Sequence, residues 1–171
     1  MKTFVLILAL GVALVLQSTL SGMVGGTLAV NLVLVAIVYL ALAYGAVTGM
    51  MAGTLGGLAQ DAVAGGIVGI GGMSTTIIGF AVGVLSSQFN LSTTVPRLVM
   101  FVAATFLHVV MFKGLHAMIG GRPFALHWSA TLIEALINGL IGVTAFMLVE
   151  RGPEAMQRRR LSRGTFGRKR F

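Results

Sequence analysis

Residues 44–64 read Tyr44-Gly45-Ala46-Val47-Thr48-Gly49-Met50-Met51-Ala52-Gly53-Thr54-Leu55-Gly56-Gly57-Leu58-Ala59-Gln60-Asp61-Ala62-Val63-Ala64. Glycine recurs at 45, 49, 53 and 57, and on a helix these four positions share one face that drifts slowly round the axis. In lipid, a stripe of small residues lets a second backbone approach to van der Waals contact, which is a main source of helix association there. The stretch therefore reads as a membrane helix closed against another helix. Its plainer reading is packing against neighbours in the same chain. The sharper one is a partner-helix interface formed by Gly45, Gly49, Gly53 and Gly57. Gly79 with Gly83, and Ala9 with Ala13, repeat the spacing in shorter form.

The rest of the chain has the same character. Of 171 residues, 57% are hydrophobic and 9% charged, with a mean hydropathy of +0.99. A soluble domain carries roughly 25% charged residues, so this composition excludes a soluble enzyme and points to an all-α polytopic membrane protein. With no cysteine, disulfides, thiolate metal sites and Cys nucleophiles are excluded together. Six segments are apolar and long enough to be spans: Thr3–Leu20, Leu28–Ala43, Tyr44–Ala64, Gly69–Ser87, Pro96–Ile119 and Trp128–Val149. The second and third are separated because 37 continuous helical residues would extend about 55 Å. The start of the chain imitates a signal peptide, with Lys2, an apolar run and small residues from Ser18 to Gly22. It shares the character of the later spans, however, and is kept as the first of them.

Charge sets the orientation. Residues 1–150 form a six-helix transmembrane domain with a net charge of +1. Residues 151–171 hold eight basic residues against Glu154, a net of +7. The positive-inside bias then places Lys2, Arg97 and the tail in the cytoplasm, both termini included. The tail has too few apolar residues to fold alone and is expected to be disordered. Its Arg158, Arg159, Arg160, Arg163, Arg168, Lys169 and Arg170 are suited to anionic lipid at the inner leaflet, and this tethering makes nucleic acid the poorer partner. The Asn90-Leu91-Ser92 sequon falls on the cytoplasmic side in this topology and is set aside.

Polar residues within the spans are few. Asp61 extends the glycine face at the outer end of the third span and serves either as a helix cap or as part of a site. Lys113 and Glu134 fall at matching depth, about 10 Å below the outer surface, with Asn138 one turn deeper and His108 near it. Charges inside a membrane pair or face a polar cavity. The reading is therefore either an ion pair of Lys113 with Glu134, or an outer polar pocket lined by Asp61, Lys113, His116, Glu134 and Asn138. No nucleophile motif, zinc-binding motif or phosphate loop is present. His108, His116 and His127 are poorly spaced for a metal, so no catalytic residue, metal or cofactor is expected.

Three pieces together carry a family resemblance: Asn31 through Leu42, the ladder ending Gly57-Leu58-Ala59-Gln60-Asp61, and Glu134 with Asn138 four residues on. They resemble MreD, the rod shape-determining membrane protein family, over about residues 10 to 150. Val30 and Ile67-Val68-Gly69 depart from the prolines common in that family. The resemblance implies a non-enzymatic scaffold of the bacterial elongation machinery in the inner membrane. Such a scaffold binds MreC and, through it, connects to MreB, RodA and a penicillin-binding transpeptidase in peptidoglycan synthesis. It also implies an architecture similar to the S subunits of energy-coupling factor transporters. A substrate-binding transporter subunit is accordingly the alternative, with Ala9 and Ala13 as the face toward its energising partner.

Overall fold

The computed structural model describes residues 2–23, 30–65, 67–89, 93–120 and 127–166, with side chains placed for 6–20, 30–65, 67–89, 93–120 and 127–149. Six helices account for nearly all of it: α1 (Lys2–Met23), α2 (Leu32–Tyr44), α3 (Ala46–Ala64), α4 (Ile70–Gln88), α5 (Thr94–Gly120) and α6 (Trp128–Phe166). By length and composition, α4, α5 and residues Trp128–Val149 of α6 can each cross a membrane, whereas α1 and α2 contribute the shorter apolar stretches Leu6–Leu20 and Leu32–Tyr44. The six expected spans are thus six helices, three of them of full spanning length and apolarity. Glycine, threonine, Gln60 and Asp61 lower the apolarity of α3. α2 has only 13 residues, starting at Leu32 rather than Leu28.

The break between α2 and α3 falls at Gly45, whose φ of +90° is readily available only to a residue without a Cβ. Its N–H still donates to the Ala41 carbonyl at 2.9 Å, so the chain turns without losing a hydrogen bond. This gives Gly45 a separate task from the glycines that follow it.

Consecutive helices run antiparallel, as the close pairs Gly49 with Gly79 and Gly57 with Gly72 show for α3 and α4. The ends of α1, α3 and α5 therefore lie beside the starts of α2, α4 and α6, at what is here called the distal end, away from Lys2. Two apolar clusters fill the middle and the opposite end. One joins Leu34, Val38, Ile78, Val82, Phe101 and Val143, and the other joins Leu6, Leu10, Val33, Ile37 and Ala52. Toward the end opposite the distal one, the Arg97 guanidinium lies 4.1 Å from the centre of the Phe146 ring, and Phe146 meets Tyr39 edge-on at 5.1 Å. The backbone of α6 continues to Phe166, through the boundary expected at residue 150 and into the tail expected to be disordered. Arg158, Arg159, Arg160 and Arg163 sit on that extension, and Arg168, Lys169 and Arg170 lie outside the described residues.

Candidate functional site

The glycine stripe is closed by α4 of the same chain. A Cβ on Gly49 would strike the Gly79 carbonyl, one on Gly53 would lie 2.6 Å from the Thr75 carbonyl carbon, and one on Gly57 would lie 2.7 Å from Gly72 Cα. α4 offers a matching stripe of Gly72, Thr75, Gly79 and Gly83. Thr75 Oγ1 adds a hydrogen bond across the seam to the Gly53 carbonyl at 2.7 Å, and Thr54 and Thr76 join their hydroxyls at 2.9 Å. The partner-helix interface expected at Gly49, Gly53 and Gly57 is therefore corrected to an internal seam, because backbone-to-backbone contact leaves no room for a further helix. Gly45 meets α4 through its backbone, its carbonyl carbon lying 2.7 Å from where a Gly83 Cβ would sit, although a Cβ of its own would meet nothing within 4 Å. Gly56, outside the fourfold spacing, lies on a second face of α3, toward Leu10, Val33 and Ile37. The Ala9 and Ala13 pair is also turned inward, against the α2 cluster, rather than being offered to a partner.

Asp61 is buried at the end of α3, where its Oδ2 accepts from the backbone N–H groups of Gly69 at 2.8 Å and Gly72 at 3.1 Å. These belong to the first turn of α4, whose leading N–H groups have no partner within the helix, and a carboxylate there also meets the positive end of the helix dipole. Three helix positions on, Ser74 donates to the Gly71 carbonyl at 3.0 Å and lies 3.2 Å from His108 Nδ1 on α5. Ser74 has one proton to give, so both contacts are satisfied when His108 carries its own proton on Nδ1. Ser74 is completely buried, which makes this serine–histidine contact a sealed bond between α4 and α5. Sequence reading missed Ser74; the run Ser74-Thr75-Thr76 in an apolar helix gave no sign of which neighbour each would meet.

A second buried helix start is held in the same way. Asn31 Oδ1 accepts from Leu34 N–H at 2.9 Å, Gln17 Oε1 from Val33 N–H at 3.1 Å, and Asn138 Oδ1 from Asn31 N–H at 3.1 Å. Backbone groups away from water must find protein partners, and here α1, α2 and α6 each supply one. Two of the residues behind the family resemblance, Asn31 and Asn138, thus meet in space. Replacing Asn138 by leucine leaves the Asn31 N–H unpaired and is expected to cost about 1–3 kcal/mol, read as a lower midpoint of thermal unfolding in detergent.

The remaining polar side chains form a separate group. Lys113 on α5 and Glu134 on α6 are both half-buried. His116 packs at a tilt of 45° against Phe112 with ring centres 4.5 Å apart and donates from Nδ1 to the Phe112 carbonyl at 3.3 Å. The five residues expected around one pocket are therefore divided: Asp61 and Asn138 hold helix starts, and Lys113, His116 and Glu134 lie along the distal half of α5 and α6. No group of three metal-binding side chains occurs among the described residues.

No curated protein and no solved structure matches the sequence. The family model for rod shape-determining protein MreD matches residues 1–151, which takes in α1 to α5 and the apolar part of α6. The chain belongs to the MreD family.

Proposed function

We propose that this protein is a non-enzymatic membrane scaffold that binds MreC within the bacterial cell-elongation machinery. Through MreC it would connect to MreB filaments, RodA and the penicillin-binding transpeptidase that build peptidoglycan. The observation that carries the reading is the family match across residues 1–151. The polar geometry supports it: Asp61, Ser74, Asn31 and Asn138 hold helix starts and join helices. In this reading all six helices cross the inner membrane, in an arrangement similar to the S subunits of energy-coupling transporters. Both termini face the cytoplasm, and the basic residues after Val149 lie along the anionic inner leaflet at about 1 kcal/mol each.

The test is recovery of partners from native membranes with an N-terminal tag and a mild detergent. A single-span MreC-like protein is the expected companion, identified by mass spectrometry. A pair of ATPases with a membrane coupling subunit in its place would overturn the scaffold reading in favour of solute uptake.

A further inference from the structure

α1 and α3 both run toward the distal end and touch where Leu10 meets Gly56, the Leu10 Cδ2 lying 3.0 Å from where a Gly56 Cβ would sit. One to two turns further on they stand apart around a cleft of about 360 Å³, lined by Leu14, Gln17 and Ser18 from α1 and by Gln60, Val63 and Ala64 from α3. Ser18, Val63 and Ala64 are exposed, and Leu14, Gln17 and Gln60 are half-buried, so the cleft opens at the surface of the bundle rather than into its core. The apolar stretch of α1 runs from Leu6 to Leu20, which places this opening near the distal edge of the hydrocarbon. The lining is mixed in character and carries no charged side chain. Gln17 Oε1 already accepts from the Val33 N–H, and this fixes the amide so that its NH₂ group is the end left to donate. Ser18 gives its proton to the Val15 carbonyl. The donors that remain for the cleft are the two glutamine amides. They call for an uncharged acceptor that brings apolar chains with it.

We infer that the cleft between α1 and α3 is a binding site for one diacyl phospholipid, held through its ester carbonyls by the Gln17 and Gln60 amides. Ester carbonyls sit at the edge of the hydrocarbon, accept without donating and bear no charge. The volume is in the range of small-ligand sites and takes the glycerol backbone with the first methylenes, the rest of the chain lying along α1. The lipid then supplies the contact that α1 lacks against α3 at this level. The inference goes beyond the scaffold reading and takes from it that α1 and α3 cross the bilayer.

The full chain, purified in mild detergent, would be offered an equimolar mixture of diester and diether phosphatidylcholine with the same chains, and the first bound lipid identified by native mass spectrometry. The ether lacks the carbonyls and is otherwise the same. Both headgroups are zwitterionic, so the basic tail favours neither. The parent chain should take the diester over the diether by about threefold or more, the effect of one or two net hydrogen bonds. Gln60→Leu should lose that preference. Gln88→Leu, at an exposed glutamine on the end of α4 away from the cleft, should keep it. Equal uptake of the two lipids by the parent chain, or a preference that survives Gln60→Leu, would overturn the inference. Partner recovery from native membranes reports on the scaffold reading separately, so the two can fail independently.

Discussion

Gly53→Ala is expected to remove most of the folded protein from the membrane, although it adds a single methyl group. The new Cβ would lie 2.6 Å from the Thr75 carbonyl carbon and 2.8 Å from Thr76 Cα. Both are backbone atoms, so no rotamer change relieves the contact and the two helices must separate along the seam. Overpacking of a well-packed interior costs about 1–3 kcal/mol where side chains can adjust; here the cost should reach or exceed the upper end, because separation also breaks the Thr75 bond to the Gly53 carbonyl. Gly11→Ala on α1 is the control. Its Cβ would meet nothing, and alanine is the better helix former by about 1 kcal/mol. The measurement is the yield of monodisperse, detergent-extracted protein by size-exclusion chromatography. Equal yields for the two variants would show that the seam is not as tight as drawn.

Asp61→Ala should have the second-largest effect. It removes the acceptor for two backbone N–H groups in the first turn of α4, in a place from which water is largely excluded. Hydrogen bonds to a charged group contribute about 1.5–3 kcal/mol each. Losing both is expected to lower stability by roughly 3 kcal/mol or more and to loosen the α4 start that carries Ser74 toward His108. Asp61→Asn keeps one carbonyl oxygen in the same position and should retain part of that stability. The order of unfolding midpoints, with the parent chain highest, Asn intermediate and Ala lowest, separates a cap from a ligand carboxylate. A cap tolerates the neutral amide in part, and Asn and Ala variants with equal midpoints would argue against capping.

The fold was legible because its determinants are local. Apolar length and the glycine-rich break after Asp61 and the polar one before Pro96 can be read from neighbouring residues, whereas Gly45 was read as part of the stripe and proves to be the turn between α2 and α3. The glycine ladder was equally visible, but its occupant was not: periodicity gives a face of α3 and says nothing of what covers it, and the matching stripe on α4 includes Thr75, which a search for glycine spacing passes over. Asp61 and Asn138 were singled out as polar residues of interest, and both are buried. Depth along a helix could not separate the two groups into which they fall, because that depends on how each helix is rotated about its axis. Gln17 and Ser74 went unread since each stands in a short polar run whose meaning lies in a contact with another helix.

The start of α2 has a bearing on how the chain is made. Asn31 leaves the ribosome early, yet the Asn138 that accepts its N–H follows 107 residues later. At roughly 5–20 residues per second of synthesis, that is a wait on the order of ten seconds. During that interval Gln17 and the Asn31 side chain can already engage the first turn, but the Asn31 N–H itself has no acceptor from α6. The third and fourth helices can zip along their glycines as they emerge, and the last helix then closes the start of the second. A chain stopped before α6 is therefore left with an open backbone donor at the head of α2.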